Sequence, residues 1–427
     1  MPGAPRFSFY GDDFTGSTDA LEALAVNGIP TVLFLRVPDD SDLAAFPDCR
    51  AVGIAGDSRS RSPQWMREAL PAVFTRLRQL GAPVVQYKVC STFDSSPEYG
   101  SIGCVIEIAR EIFEVPYVPV APAAPKLRRY VVFGNLFASG GDAIYRIDRH
   151  PAMQRHPVTP MTESDLLVHL GRQTGRKLAL MDILSLRAPD AGERLETLLS
   201  GQPDAIVFDG LEDGSLERSA RLICGRPGRP QVFVVGSSGF TYGMMDFWRA
   251  EGWIQPPAGV NRAGCVERLL VLAGSCSPAT ERQIRRALRD GFQGVRLDPC
   301  RPEDWDTARQ AAETGLAAGK NVVVYSALGL ADRKEIDDRR LLGARMGKLL
   351  RELILRSGVR RVVIAGGDTA SHAASELEIG ALTFLAPLVP GAPLCLAHGA
   401  AMELELVLKG GQIGPETFFK DVVRGRS

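Results

Sequence analysis

Two adjacent carboxylates, Asp12 and Asp13, follow a short apolar run, Phe7 to Tyr10, and precede a helical pattern carrying Leu21, Leu24 and Ala25. In that order a strand ends, the chain turns sharply and a helix begins. Ligands of open α/β sheets bind at the carboxyl ends of the strands. Carboxylates placed there can hold sugar hydroxyls, take up a proton or help position a metal. They can equally cap the helix and brace the turn. This segment alone leaves both roles open.

Two further polar loops follow apolar runs. Asp57-Ser58-Arg59-Ser60-Arg61-Ser62 offers a planar guanidinium suited to a carboxylate, although a solvated serine–arginine loop reads the same way. Lys88-Val89-Cys90-Ser91-Thr92-Phe93-Asp94-Ser95-Ser96-Pro97 gathers a lysine, an aspartate and hydroxyls that suit a polyol or sugar-acid pocket, while Ser-Pro turns share its composition. His150 and His156 stand beside prolines and are second-rank candidates, since such histidines are commonly turn residues.

The C-terminal half repeats the strand–loop–helix form with glycines. Gly366 and Gly367 follow Arg361–Ala365, and Asp368 or Thr369 could cap the next helix. Backbone amides without side chains in front of them, at a helix N-terminus, favour phosphate. Gly274-Ser275 follows Leu269–Ala273, with Ser277 suited to a helix N-cap and Pro278 to the first helical position. Lys409-Gly410-Gly411 closes a third apolar run. Each loop alone could be a tight turn; three in one half fit a nucleotide site better. No Gly-x-x-x-x-Gly-Lys-Ser/Thr loop occurs, and no Gly-x-Gly-x-x-Gly opens a βαβ unit.

The elements that must position these loops are legible in outline. Apolar runs recur at Thr31–Leu35, Ala51–Ile54, Val84–Tyr87, Tyr130–Phe133, Leu178–Met181, Ala205–Phe208 and Val232–Val235, and again at Leu269–Ala273, Val322–Tyr325 and Val362–Ala365. Amphipathic stretches separate them, which predicts an α/β fold with largely parallel sheets covered on both faces. The proline-rich segment Val115 to Lys126 reads as an internal loop. A chain of 427 residues predicts two domains. Trp253 to Gly264, with Pro256, Pro257 and Gly259, is the preferred junction, giving domains over 1–252 and 265–427. Fifty basic and fifty acidic residues cancel, so no nucleic-acid or membrane surface is indicated. Eight scattered cysteines without a Cys-x-x-Cys pair are expected to be free buried thiols in a reducing cytoplasm.

Taken together, the loops resemble the four-carbon acid sugar kinase family over nearly the whole chain and in the right order. Gly11-Asp-Asp-Phe-Thr-Gly-Ser-Thr-Asp19 is similar to its Ala-Asp-Asp-Phe-Thr-Gly-Ala signature, and Asp57–Ser60 to its arginine loop. Val120–Pro125, Val235–Gly239, Gly274-Ser275, Gly366–Thr369 and Lys409–Gly411 also match. The resemblance implies two α/β domains with an active-site cleft between them, the first binding a sugar acid and the second ATP. It places Asp12, Asp13, Arg59, Lys88, Ser91 and Thr92 at the acid, and Ser275, Gly366, Gly367, Asp368, Thr369, Gly410 and Gly411 at ATP. It also implies Mg²⁺ as a cofactor with no ligands named, a cytoplasmic enzyme and a homodimer as an option.

One loop departs from the pattern. Family members commonly read Lys-x-Asp-Ser-Thr-Leu-Arg-Gly after the fourth strand. Here Cys90 stands for the aspartate and the arginine is missing. Asp94 is the candidate to replace the lost carboxylate. The expected reaction moves the γ-phosphoryl of ATP to a hydroxyl of a threonate, erythronate, 3-oxo-tetronate or 3-oxo-isoapionate type of acid. Arg59 and Lys88 would hold the carboxylate, and Asp12 or Asp13, with Asp13 favoured, would accept the proton. Lys409 would add positive charge near the phosphates. The competing readings are a dinucleotide dehydrogenase, a non-catalytic sensor on a kinase-like fold and a kinase for an unrelated hydroxy acid.

Overall fold

A computed structural model describes residues 6–155, 159–225, 231–255, 259, 262–332, 339–399 and 403–425, with the backbone alone at 155, 339, 340 and 368. Its strands in chain order are β1 (Phe7–Gly11), β2 (Thr31–Phe34), β3 (Ala51–Ala55), β4 (Val84–Lys88), β5 (Val118–Ala121), β6 (Arg129–Val132), β7 (Asn135–Gly140), β8 (Ala143–Arg146) and β9 (Leu178–Met181). They continue with β10 (Ala205–Phe208), β11 (Val232–Gly236), β12 (Leu269–Ala273), β13 (Gln293–Arg296), β14 (Val322–Tyr325), β15 (Arg361–Ala365), β16 (Ala381–Val389), β17 (Ala392–His398) and β18 (Leu404–Lys409). The chain forms two compact units. The first comprises Met1–Asp12, Ala23–Thr31 and Val37–Pro257; the second comprises Asp13–Glu22, Val32–Arg36 and Ala258–Ser427. Two short N-terminal segments thus belong to the second unit, and the chain passes from the first to the second at the Asp12–Asp13 peptide bond.

The first unit carries seven parallel strands in the order β3-β1-β4-β11-β5-β10-β9. Their continuous apolar sequences follow from burial on both faces. Phe74, on the helix Pro63–Gln79, packs its ring edge-on against Tyr10 and Tyr87 and lies 5.1 Å from the Phe233 ring. A separate antiparallel sheet, β6-β7-β8, belongs to the same unit.

The second unit has the order β13-β14-β12-β15-β18-β17-β16-β2. The first five strands are parallel, and β17, β16 and β2 continue antiparallel. Its core gathers Leu269, Val271, Val323, Val363 and Val407 with Phe418 and Phe419.

Three sequence expectations change. The proline-rich 115–126 segment holds a buried strand, β5, between β11 and β10; alternation of Val118 and Val120 with Pro119 hid it, because proline argues against a central strand. The run at Tyr130 belongs to an antiparallel hairpin and not to the parallel series. The hairpin β16–β17 had no counterpart in the sequence reading. The eight cysteines form no disulfide, but only Cys104 and Cys395 are buried, and Cys265 and Cys300 are exposed. No described helix is long and apolar enough to cross a membrane.

Candidate functional site

In the first unit, register builds the site. Gly11, the last residue of β1, pairs with Ala55 of β3 and Lys88 of β4. One residue later the Asp12 amide donates to the Lys88 carbonyl at 3.0 Å, and the Arg59 amide donates to the Asp12 carbonyl at 3.1 Å. Parallel pairing therefore brings Asp12, Arg59 and Lys88 to one strand edge, although 76 positions of sequence separate Asp12 from Lys88. Lys88 is 2% exposed, and its Nζ donates to the Val89 carbonyl at 3.1 Å.

Aromatic packing fixes the arginine loop. The Tyr10 and Tyr87 rings stack at 5.6 Å, and the buried Ser58 hydroxyl lies 2.7 Å from the Tyr87 hydroxyl. A Cβ at Gly56 would lie 1.9 Å from the Tyr10 hydroxyl. Gly100, at φ +60, would put a Cβ 2.5 Å from the Arg59 carbonyl oxygen. A side chain at position 56 would therefore collide with the Tyr10 ring, and at position 100 only glycine lets the two backbones approach so closely in that conformation.

The departing loop is a hydroxyl network. Ser91 and Thr92 are buried. Thr92 Oγ1 lies 3.0 Å from Cys90 Sγ and donates to the Asp94 carboxylate, which also accepts from Thr159 Oγ1 at 3.2 Å. The Ser95 hydroxyl meets His169 Nε2 at 2.9 Å and accepts from Gln173 Nε2 at 2.9 Å. Burial pushes the His169 imidazole down to about 4, so it is neutral at ordinary pH. Sequence reasoning missed Thr159, His169 and Gln173, which come from distant segments and lie in no strand-end motif. Gln86 bonds the Gly236 and Ser237 carbonyls, both at 2.9 Å. The Ser237 hydroxyl in turn donates to the Ala123 carbonyl at 2.9 Å, bringing together the Val120–Pro125 and Val235–Gly239 motifs.

Asp13 belongs to the second unit and is a helix cap. One carboxylate oxygen accepts from the Gly16 amide at 2.6 Å and the other from the Thr15 hydroxyl at 2.9 Å. The helix it opens, Phe14–Ala25, is tied by the Phe14 amide to Ser371 Oγ at 3.3 Å.

The three glycine loops of the second unit meet at the ends of β12, β15 and β18. Ala273 pairs with Ala365, and Ala365 with Lys409. The Gly274 amide donates to the Ala365 carbonyl at 3.0 Å, and the Gly366 amide to the Lys409 carbonyl at 2.8 Å. A Cβ at Gly274 would lie 2.1 Å from Thr369 Oγ1, and one at Gly411 would lie 2.6 Å from Ser275 Oγ. Gly366 has φ +127, a conformation strained for any other residue. Ser275, Thr369 and Gly366 are thus close neighbours, with Gly410 and Gly411 beside Ser275 and Ser277. Gly366, and neither Asp368 nor Thr369, is the cap of the helix Gly367–Ser375; both lie inside it, because the helix begins two residues earlier than a cap at Asp368 predicts and three earlier than one at Thr369. The side chain of Asp368 lies outside the described residues. Ser277 caps the helix Pro278–Arg289 as expected, accepting from the Thr280 amide at 3.2 Å. Its hydroxyl also donates to the Gly411 carbonyl.

Lys409 is fully buried. Its Nζ donates to Thr280 Oγ1 at 3.1 Å and to the Gly410 carbonyl at 2.8 Å. Burial lowers this ammonium to about 7.

His150 is a turn residue. Its Nδ1 accepts from the Ala152 and Met153 amides, both at 3.2 Å, which leaves Nε2 to donate to the Ser139 carbonyl at 2.9 Å. His156 lies outside the described residues. Among the described residues no three His, Cys, Asp or Glu side chains are grouped to hold a metal ion.

Comparison with known proteins gives a consistent result. Residues 7–244 match the sugar-binding N-terminal domain family, and residues 270–419 the nucleotide-binding C-terminal domain family. A 3-oxo-isoapionate kinase of Paraburkholderia graminis is 43% identical, covering 100% of this chain and 95% of that protein. A 3-oxo-tetronate kinase of Pseudomonas savastanoi pv. phaseolicola is 30% identical over 98% of this chain and 97% of its own length. A crystal structure from Salmonella typhimurium LT2, provisionally described as a tRNA synthase, superposes with a TM-score of 0.79 at 26% identity, covering 97% of this chain and 98% of that one.

Proposed function

The chain belongs to the four-carbon acid sugar kinase family, and on that premise we propose that it moves the γ-phosphoryl of ATP to a hydroxyl of a branched 3-oxo sugar acid, with 3-oxo-isoapionate the first candidate. The observation that carries the choice of acceptor is the 43% identity, over the full chain, to a 3-oxo-isoapionate kinase, against 30% to 3-oxo-tetronate kinases. The departing Cys90–Pro97 loop supports an acceptor unlike the common ones, since changed polar partners change which hydroxyls and carboxylates are read.

Arg59 and Lys88 hold the substrate carboxylate. Asp12, beside both, orients the attacking hydroxyl and takes its proton. The hydroxyl oxygen forms a bond to the γ-phosphorus as the bond from that phosphorus to the β–γ bridging oxygen breaks, and ADP leaves. Asp13, whose two oxygens are engaged in the first turn of its helix, positions and does not deprotonate. The amides of Gly366, Gly367, Gly410 and Gly411 cradle phosphate oxygens, with the hydroxyls of Ser275 and Thr369 beside them and the N-terminus of the helix Gly367–Ser375 behind. Mg²⁺ accompanying the nucleotide would neutralise phosphate charge when bound; among the described residues no three His, Cys, Asp or Glu side chains are grouped to hold it by themselves.

A coupled assay of ADP release over 3-oxo-isoapionate, 3-oxo-tetronates, threonate and erythronate tests the reading. Highest kcat/KM with the branched oxo acid is expected. Preference for a 3-oxo-tetronate would move the chain to the second group of relatives, and no release with any acid would favour a binding protein.

A further inference from the structure

We propose that Arg129 is a specificity-determining residue, whose Nε–Nη2 edge receives an oxyanion of the acid acceptor beside Cys90. The inference deepens the kinase reading and rests on it for the identity of the anion as the acceptor's carboxylate, which Arg129 would share with Arg59 and Lys88.

Topology places Arg129 at the right edge. β4, β11 and β5 are neighbours, with Lys88 paired to Gly236 and Gly236 to Ala121. The chain leaving β5 is held there, since the Ser237 hydroxyl bonds the Ala123 carbonyl and a Cβ at Gly239 would lie 1.9 Å from that same oxygen. Ala124 then exchanges backbone hydrogen bonds with Arg129 at 3.0 and 3.1 Å, across the short turn that starts β6. Arg129 therefore emerges at the same strand ends as Asp12, Arg59 and Lys88.

Its guanidinium is hydrogen-bonded on one side and unpartnered on the other. Nη1 donates to the Leu127 carbonyl at 2.7 Å, to Ser139 Oγ at 3.0 Å and to the Arg128 carbonyl at 3.5 Å. Nε is buried without a hydrogen-bond partner, and Nη2 makes no hydrogen bond among the described residues. A buried guanidinium donor with no acceptor is costly, and the Nε–Nη2 edge matches a carboxylate in two parallel bonds. Burial lowers the Arg129 pKa from its ordinary value, and the strongest opposing influence is the charge of Cys90, in the loop where the sequence departs from the family pattern. Arg129 thus carries a fixed fork with an unfilled Nε donor, within the electrostatic influence of the altered loop.

Two measurements test this. The first compares wild type with Arg129→Met and Arg129→Lys in the ADP-release assay. We expect KM for the acid to rise tenfold or more in Arg129→Met, with KM for ATP within twofold; Arg129→Lys, which keeps the charge and loses the fork, should recover only part. An acid KM unchanged in both variants overturns the proposal while leaving the kinase reading intact. The second needs neither turnover nor a folded variant: peptide mapping of wild-type Cys90 after iodoacetate or iodoacetamide. An anion-receiving edge beside Cys90 should favour the anionic reagent there at least fivefold relative to exposed Cys265 and Cys300, and sulfate should suppress the preference. Absence of that preference overturns the proposal. If wild type phosphorylates no acid, the kinase reading fails and the Cys90 ratio alone decides for or against the anion edge.

Discussion

The Phe14 amide donates to Ser371 Oγ at 3.3 Å, so the helix that opens after Asp13 is tied to the helix that opens after Gly366. The two residues are 357 positions apart. The helix that starts after Asp13 near the N-terminus and a glycine loop near the C-terminus are therefore parts of one unit, and Asp13 is held by its own helix while Asp12 closes a strand of the first unit.

That difference separates the two carboxylates experimentally. Asp12→Asn should lower kcat by about 10²–10⁴-fold, the usual contribution of a proton acceptor, with the melting temperature little changed. Asp13→Asn keeps one acceptor oxygen for the cap and should cost about 1 kcal/mol or less, while Asp13→Ala should cost about 1–2 kcal/mol. Steady-state kinetics and thermal melts on the three variants check this. A larger kcat loss in Asp13→Asn than in Asp12→Asn would return the base to Asp13.

The nucleotide loops are sensitive to single methyl groups. Gly411→Ala would place Cβ 2.6 Å from Ser275 Oγ, and Gly366→Ala would force a non-glycine residue to φ +127, costing about 1–3 kcal/mol. Both should raise KM for ATP tenfold or more with KM for the acid nearly unchanged, as read by varying each substrate against a saturating concentration of the other.

Lys409 should report nucleotide binding through protons. Burial holds its ammonium near 7 in the folded chain, against 10.5 when exposed. Between those values the unfolded chain binds more protons, so this group's contribution to stability rises with pH from about 7 to 10.5. A phosphate beside it restores the charge. Calorimetric titration with ATP at pH 8 in buffers of different ionisation enthalpy should show net proton uptake in wild type and less in Lys409→Met. Equal uptake in the two proteins would remove Lys409 from the phosphate site.

Glu22 sets the opposite pH trend. Burial, reinforced by Asp19, pushes its carboxyl up to about 8, against the lowering effect of the Gly391 amide that it accepts at 2.8 Å. The folded state holds this proton more tightly than the unfolded chain. Its contribution is complete below about pH 4.5 and is lost as pH rises through about 8, by several kcal/mol at most. Denaturant titrations of Glu22→Gln between pH 5 and 9 should show a flatter stability profile than wild type.

Local residue pattern carries the chemistry-bearing loops and the class of fold. Short apolar runs ending in Asp12, Arg59, Lys88, Gly274, Gly366 or Gly411 are local patterns, and a parallel sheet demands them, since strands buried on both faces are apolar throughout. The cap at Ser277 was equally legible, because a side chain bonding an amide three residues on is a local event. Tertiary structure alone decided which loops meet and which groups in them are already occupied. The role of Asp13 as a cap depends on how its carboxylate turns, and the start of the last glycine helix depends on the φ of Gly366. The strand at Val118–Ala121 is imposed by its neighbours against the preference of Pro119. Arg129, in no recognisable motif, reaches the strand ends only because β11 holds the turn after β5 in place. Each of these is set by register and packing between segments far apart in sequence, and local residue pattern contains no term for either.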